Sequence, residues 1–139
     1  VTQPINISGT SRQKGLELTS SWLVSESFVL DASYTYTDST QNGVDEIRRA
    51  RNLGSLNLLW RAQDNLAINA NAQHNGAQTD IGGVTLDAFT LVNVNANFNA
   101  TDKLDLYLRL DNLFDEDYQE VFGYQTLGFG ASLGLRYSL

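Results

Sequence analysis

The chain has no cysteine and no methionine, and only one histidine and one proline among its 139 residues. Without thiols there is no disulfide, no thiolate metal site and no cysteine nucleophile. A single imidazole excludes multi-histidine metal sites and acid–base schemes built on an imidazole pair. Positive charge is also scarce: nine Lys and Arg stand against 16 Asp and Glu, for a net charge of −7. With no basic run, nucleic acid is not an expected partner. No apolar stretch approaches the roughly 18 residues of a membrane-spanning helix. Neither an initiator Met nor a signal-peptide pattern opens the chain, which points to a mature or excised product. A phosphate-cradling glycine loop and metal-ligand spacings are absent too, so no enzyme and no cofactor is expected.

What the sequence has is a period of two. From Phe129 the odd positions read Phe129, Ala131, Leu133, Leu135, Tyr137 and Leu139, while the even ones are Gly, Ser or Arg. Leu104, Leu106, Leu108 and Leu110 alternate with Asp105, Tyr107, Arg109 and Asp111. Val92, Val94, Ala96 and Phe98 alternate with Asn93, Asn95, Asn97 and Asn99. Similar patterns surround Ile68, Leu58, Leu30 and Leu18. Strict alternation is the mark of a strand with one apolar and one polar face. It predicts seven strands, near 5–24, 27–40, 49–62, 65–78, 86–100, 103–114 and 126–139. Short turns at 25–27, 63–65 and 101–103 alternate with longer links near 39–48, 76–85 and 113–126. The expected architecture is all-β: an antiparallel up-and-down meander with short turns on one rim and long loops on the other.

Three features make a membrane β-barrel the better fit than a soluble sandwich. The strands run to about 12–14 residues, against about 5–6 in soluble sheets and about 9–11 for a tilted membrane strand. The polar face is rich in Asn, Ser, Thr and Gly, which suits a wet lumen better than a packed core. Aromatics on the apolar face fall near strand ends: Trp22, Phe28, Trp60, Phe98 and Tyr137 by the short turns, and Tyr34, Tyr36 and Phe129 towards the long loops. Two aromatic girdles flanking an aliphatic band are the signature of an outer-membrane barrel. Seven strands is an odd number, and an open sheet would expose unpaired amides to lipid at several kcal/mol per group. The expectation is therefore one segment, 1–139, forming the C-terminal part of a larger barrel. A small self-contained or engineered barrel, closing alone or by oligomerisation, is the alternative.

At Asn112-Leu113-Phe114-Asp115-Glu116-Asp117-Tyr118 the chain carries Asn-Leu-Phe-Asp-x-x-Tyr just before the last long loop. This resembles a hallmark of TonB-dependent outer-membrane receptors near their C-terminus. Lys14-Gly15-Leu16-Glu17-Leu18 and Ala32-Ser33-Tyr34-Thr35-Tyr36-Thr37-Asp38 resemble two further strands of that family, in the family's order, and Phe89-Thr90-Leu91-Val92-Asn93 sits where it has an aromatic and an aliphatic pair. The resemblance implies a 22-stranded barrel filled by an N-terminal plug, taking up ferric siderophores, haem, cobalamin or sugars in a Gram-negative outer membrane. It also implies partners: outer-membrane lipid and lipopolysaccharide, the rest of the barrel and the plug, the TonB complex, and a nutrient ligand such as a ferric siderophore. Neither plug nor TonB box is in this sequence. It departs from the family in ending Arg136-Tyr137-Ser138-Leu139 where Phe or Trp is usual.

Several residues carry functional expectations. Asp115, Glu116, Asp117 and Glu120 form an acidic cluster that could contact a cation or cationic ligand through carboxylate oxygens. Phe114 and Tyr118 are expected to pack and anchor that loop. Glu17, Arg61, Arg109 and Arg136, with Asn93, Asn95 and Asn97, are expected on the lumen face, pairing across strands or with the plug. Arg48, Arg49 and Arg51 could meet lipopolysaccharide phosphates or simply balance Asp45 and Glu46. His74 is expected to point outward near the top of its strand.

Overall fold

The computed structural model describes residues 8–139. Seven long strands form the wall: β1 (Ser11–Ser25), β2 (Phe28–Gln41), β4 (Asn52–Gln63), β5 (Leu66–Asn75), β8 (Phe89–Thr101), β9 (Leu104–Asp111) and β10 (Gly130–Tyr137). Three two-residue strands, β3 (Val44–Asp45), β6 (Gln78–Thr79) and β7 (Thr85–Leu86), lie in the loops, with a 3-10 turn at Ile81–Gly83. The long strands pair in chain order, each antiparallel to the next, and β1 and β10 are the two edges of an open sheet. The seven expected strands are all present. The start of the expected 5–24 strand lies outside the described residues.

Register decides what this sheet can do. Trp22 faces Leu30, Leu30 faces Leu58, Leu58 faces Ala70, Ala70 faces Val94, Val94 faces Leu110 and Leu110 faces Ala131. A single apolar row therefore crosses all seven strands. The polar positions line up in the same way: Asp31, Asn57, Asn71 and Asn93 form one row, and Asn69, Asn95, Arg109 and Ser132 another. A slip of one residue in any strand would reverse its faces. The register shifts only at a bulge beside each short turn, at the strand ends.

The short-turn rim is built from one repeated device. Each turn has two residues between the last paired positions (Ser25 with Phe28, Gln63 with Leu66, Thr101 with Leu104) and a bulge just before it. The carbonyl of Ser27 then accepts from Arg61 N–H, that of Asn65 from Asn99 N–H, and that of Lys103 from Ser138 N–H, all within 2.7–2.9 Å. Bulges at barrel rims terminate pairing and raise the local twist.

There is almost no interior. Among the described residues only Ala50, Leu86 and Phe89 are buried apolar side chains, whereas Leu18 is 56% and Leu133 81% exposed. Soluble antiparallel sheets cover one face with a core. Here the apolar face is continuous, in register and bare. The polar face is not bare throughout: the Tyr107 ring lies across Gly134, where a Cβ would overlap it, and its hydroxyl donates to Leu135 O at 3.3 Å.

Candidate functional site

The long-loop rim is where the polar chemistry gathers. Asn112 ends β9 by turning into the left-handed region (φ 47°), which Asn tolerates better than most residues. Its side chain then closes the loop on itself. Nδ2 donates to Glu116 O at 2.9 Å and Leu127 O at 3.4 Å, and Oδ1 accepts from Glu116 N–H at 2.9 Å. The Asn112 N–H is taken by Asn93 Oδ1 at 2.9 Å, and Leu113 N–H by Val92 O at 2.8 Å. Asp115, also left-handed (φ 53°), accepts from Phe129 N–H at 2.7 Å. Tyr118 stacks on Phe89 with ring centroids 4.5 Å apart, and its carbonyl accepts the Thr126 hydroxyl at 2.7 Å. The Asn-Leu-Phe-Asp-x-x-Tyr segment is thus a fold-back device that fixes both ends of the 112–129 excursion.

Two expectations need correcting. Phe114 does not pack: it is 72% exposed. The acidic residues do not converge on a shared point either. The Asp115 carboxylate is engaged by Phe129, Glu120 presents its carbonyl to Gln78 Nε2 at 3.0 Å, and no cluster of three His, Cys, Asp or Glu occurs among the described residues. Of the four carboxylates, only that of Asp115 accepts a hydrogen bond among the described residues.

Asp80 is the residue that sequence reasoning passed over. It is wholly inaccessible, though it lies on the loop between β6 and the 3-10 turn. Oδ1 accepts from Arg48 Nε at 2.7 Å and from Ile81 N–H at 2.6 Å, and Oδ2 from Phe122 N–H at 2.7 Å. One carboxylate therefore joins all three long loops. The N–H groups of Phe122 and Ile81, helped by the Arg48 guanidinium and opposed by burial, hold its pKa below the ordinary carboxylate value. Backbone bonds reinforce the junction: Arg48 N–H to Thr79 O and Asp80 N–H to Val84 O, both 2.7 Å. The only advance signal was Asp80 followed by Ile-Gly-Gly, a turn pattern that does not reveal partners 32 and 42 positions away.

The remaining loop charges pair locally. Arg51 binds both oxygens of Asp45 at 2.8–2.9 Å, and Arg49 lies 3.5 Å from Glu46. Hydrogen bonds from the Ser39 and Ser11 hydroxyls, then the Arg49 charge, lower the Glu46 pKa. On the polar face Arg109 pairs with Asp111 of its own strand at 2.8 Å. Glu17 lies opposite Thr35, Arg61 opposite Ala67, and Arg136 opposite Asp105, with no ion pair among the described residues. Asn69 Nδ2 donates to Asn57 Oδ1 at 3.0 Å, but Asn95 and Asn97 make no side-chain hydrogen bond among the described residues. His74 Nδ1 lies 2.9 Å from Thr90 Oγ1, its cross-strand partner on the apolar side. The expected girdle residues share that side: Phe28 faces Trp60, Phe98 faces Leu106, Tyr137 faces Leu104, and Trp22 faces Leu30.

Two cavities flank the junction. One, of about 530 Å³, lies on the polar face between Ser33, Ser55 and Gln73 and is overhung by Gln78 and Glu120. The other, of about 390 Å³, opens between Arg48 and residues 120–126.

An antiparallel wall with one apolar and one polar face, and with loops gathered at one rim, defines a β-barrel of the membrane type. The chain belongs to the TonB-dependent receptor-like β-barrel family, whose description matches residues 1–113. It is 32% identical over 135 residues to a vitamin B12 transporter, BtuB, of Photobacterium profundum, covering 93% of this chain and 22% of that protein. It is also 32% identical over 134 residues to an iron-regulated outer membrane virulence protein of Vibrio cholerae, covering 87% of this chain and 20% of the relative. The chain thus spans about a fifth of the length of these relatives. In fold it is similar to the siderophore receptor PiuA of Acinetobacter baumannii, with a TM-score of 0.78 and 20% identity over 93% of this chain and 22% of that one. The family is one of receptors and transporters, not of enzymes.

Proposed function

We propose that this segment is part of the wall of an outer-membrane receptor for energy-coupled uptake of a nutrient such as a ferric siderophore, haem or cobalamin. The observation that carries the reading is the shared cross-strand register up to the bulges at the short turns, which leaves a bare aliphatic face and a hydrated amide-rich one. Burying the first in lipid uses the hydrophobic effect without a protein core. The second meets lumen water and a plug, with Asn95, Asn97, Arg61 and Arg136 available to bond it. Strands beyond β1 and β10 satisfy the two edges, as every backbone group in the bilayer core must be satisfied. The aromatic positions Trp22, Phe28, Trp60, Phe98 and Tyr137 sit at the periplasmic interface, and the long loops face outside, near lipopolysaccharide. Transport energy arrives through the TonB complex acting on parts of the receptor other than this segment. Family membership supports this reading over a small self-contained barrel.

The test is uptake by the full-length receptor in cells, with and without TonB, using radiolabelled cyanocobalamin and ferric siderophores. TonB-dependent uptake that disappears on deleting 112–129 supports the reading. Uptake of neither class by a receptor assembled in the outer membrane contradicts it.

A further inference from the structure

The pair Asn-Gly occurs at 42–43 and again at 75–76, and the fold treats the two differently. Asn75-Gly76 belongs to the wall. Asn75 ends β5 between Leu53 and Phe89 of the neighbouring strands. The Gly76 N–H donates to Asn52 O at 2.8 Å, and the Asn75 amide is turned onto Gly76 O at 3.3 Å. Gly76 is buried, and a Cβ there would press on Asn52 O at 2.9 Å.

Asn42-Gly43 is the two-residue turn between β2 and β3, at the tip of the first long loop. Both residues are exposed and have positive φ (52° and 82°), as tight hairpin turns ask of Asn-Gly. The Gly43 N–H has no hydrogen-bond partner among the described residues, and a Cβ at Gly43 would meet no atom within 4 Å. Only two residue pairs join β2 to β3, so this tip opens at little cost. The Asn42 side chain, by contrast, is seated on the start of β1. Its Oδ1 accepts from Thr10 N–H at 3.0 Å, and the Asn42 N–H donates to Thr10 O at 2.9 Å. Gly9 lies so near the Asn42 amide that a Cβ there would overlap it. A polarised side-chain amide thus adjoins an unencumbered backbone nitrogen.

We propose that Asn42 is a site of spontaneous covalent modification, converting to aspartate and isoaspartate with water as the only co-reactant, while the wall protects Asn75 from the same reaction. Once the turn opens, the Gly43 nitrogen, its proton removed by solvent hydroxide, attacks Asn42 Cγ. That C–N bond forms and the bond to Nδ2 breaks, releasing ammonia and closing a cyclic imide. Water then opens the imide. Attack at Cγ gives aspartate; attack at the backbone carbonyl gives isoaspartate, with the chain running through the former side chain. Charge developing on Oδ1 is met by the Thr10 N–H. Either product adds a negative charge to the loop, and isoaspartate also lengthens the backbone by a methylene, which the seat on Gly9 and Thr10 does not fit. The outer end of β1 is therefore tied to the first loop through a residue of limited chemical lifetime.

The test incubates the purified full-length receptor in mildly alkaline buffer, folded in detergent or unfolded in urea, and maps its peptides by mass with fragmentation that separates aspartate from isoaspartate. In the folded receptor Asn42 should convert at least about tenfold faster than Asn75, because the Gly76 N–H must first give up a hydrogen bond within the sheet. In urea the two rates should converge. Asn42→Gln, which would need a larger ring, should silence its peptide, and hydrogen exchange at Thr10 should rise in the converted fraction. Comparable conversion at both sites in the folded receptor, or a ratio that urea leaves unchanged, overturns the selection by the fold. An Asn42 that stays an amide when folded yet converts in urea overturns the site itself. Thr10 exchange that conversion leaves unaltered overturns the tie to β1.

Discussion

The strand wall and the loop rim are held together by opposite means. In the wall each residue matters through its parity: an even or odd position selects lipid or water, and neighbouring strands repeat the choice in register. Single side-chain bonds are few and local there, such as Ser33 to Ser55 at 2.7 Å. In the rim parity means nothing: Asp80 joins segments 32 and 42 positions away, and Asn112 closes its own loop onto itself. The wall is robust to any change that keeps a residue's polarity. The rim is robust to almost any change except at its two junctions.

Four predictions sharpen that contrast. The largest effect belongs to the apolar face: Leu108→Arg or Leu133→Arg, which face each other, should cost about 2–4 kcal/mol of folding stability in lipid near the midplane, read from urea unfolding in vesicles. Asn112→Ala comes next. It removes three side-chain bonds at a 5% exposed position and should cost about 1–3 kcal/mol. The barrel should remain, and 112–129 should gain hydrogen exchange. Asp80→Asn should loosen the three loops without touching the wall, seen as faster tryptic cleavage after Arg48 and Arg49. The smallest effect is expected for Asn95→Ser or Ser132→Asn, within about 0.5 kcal/mol of wild type. Equal costs at Leu133 and Ser132 would abolish the distinction between faces.

Asp80 also fixes a pH dependence. Its folded pKa lies below the unfolded value, so the stabilisation it gives is present above the ordinary Asp range and is lost as pH falls through the lower, folded value. Loop protection should therefore be flat from neutrality to about pH 4, near the unfolded Asp pKa, and fall only in stronger acid. Hydrogen exchange at Phe122 and Ile81, whose N–H groups the carboxylate holds, would record it. A drop between pH 7 and 5 would mean another group controls the rim.

The wall was legible because its rule is short-range. Alternation of two placed all seven strands, and the expected 27–40 and 103–114 became 28–41 and 104–111. Even the shortfalls have local causes. The strand expected to reach 114 stops at Asp111 because Asn112 turns left-handed, and the last strand starts at Gly130 rather than 126 because Asp115 captures Phe129 N–H. The expected start at 86 moves to Phe89 because Leu86 pairs with Gln78 in a separate hairpin. The rim was not legible. Asp80 looks like any loop acid, and its meaning depends on loops that sequence order keeps apart. The acidic run 115–120 drew attention by composition, yet its carboxylates form no shared cluster, and that of Asp115 serves the Phe129 N–H.

The segment has no cysteine of its own, so single-cysteine spin labels placed in it report on it alone once any cysteine elsewhere in the receptor is replaced. Labels at Leu106, Leu108 and Leu133 should be relaxed by membrane-dissolved oxygen when the full-length receptor sits in lipid vesicles. Labels at Asn95, Tyr107 and Ser132 should respond instead to a water-soluble nickel chelate, in strict alternation along β9 and β10. The same accessibility on both sets would contradict the two-faced wall and the membrane function built on it.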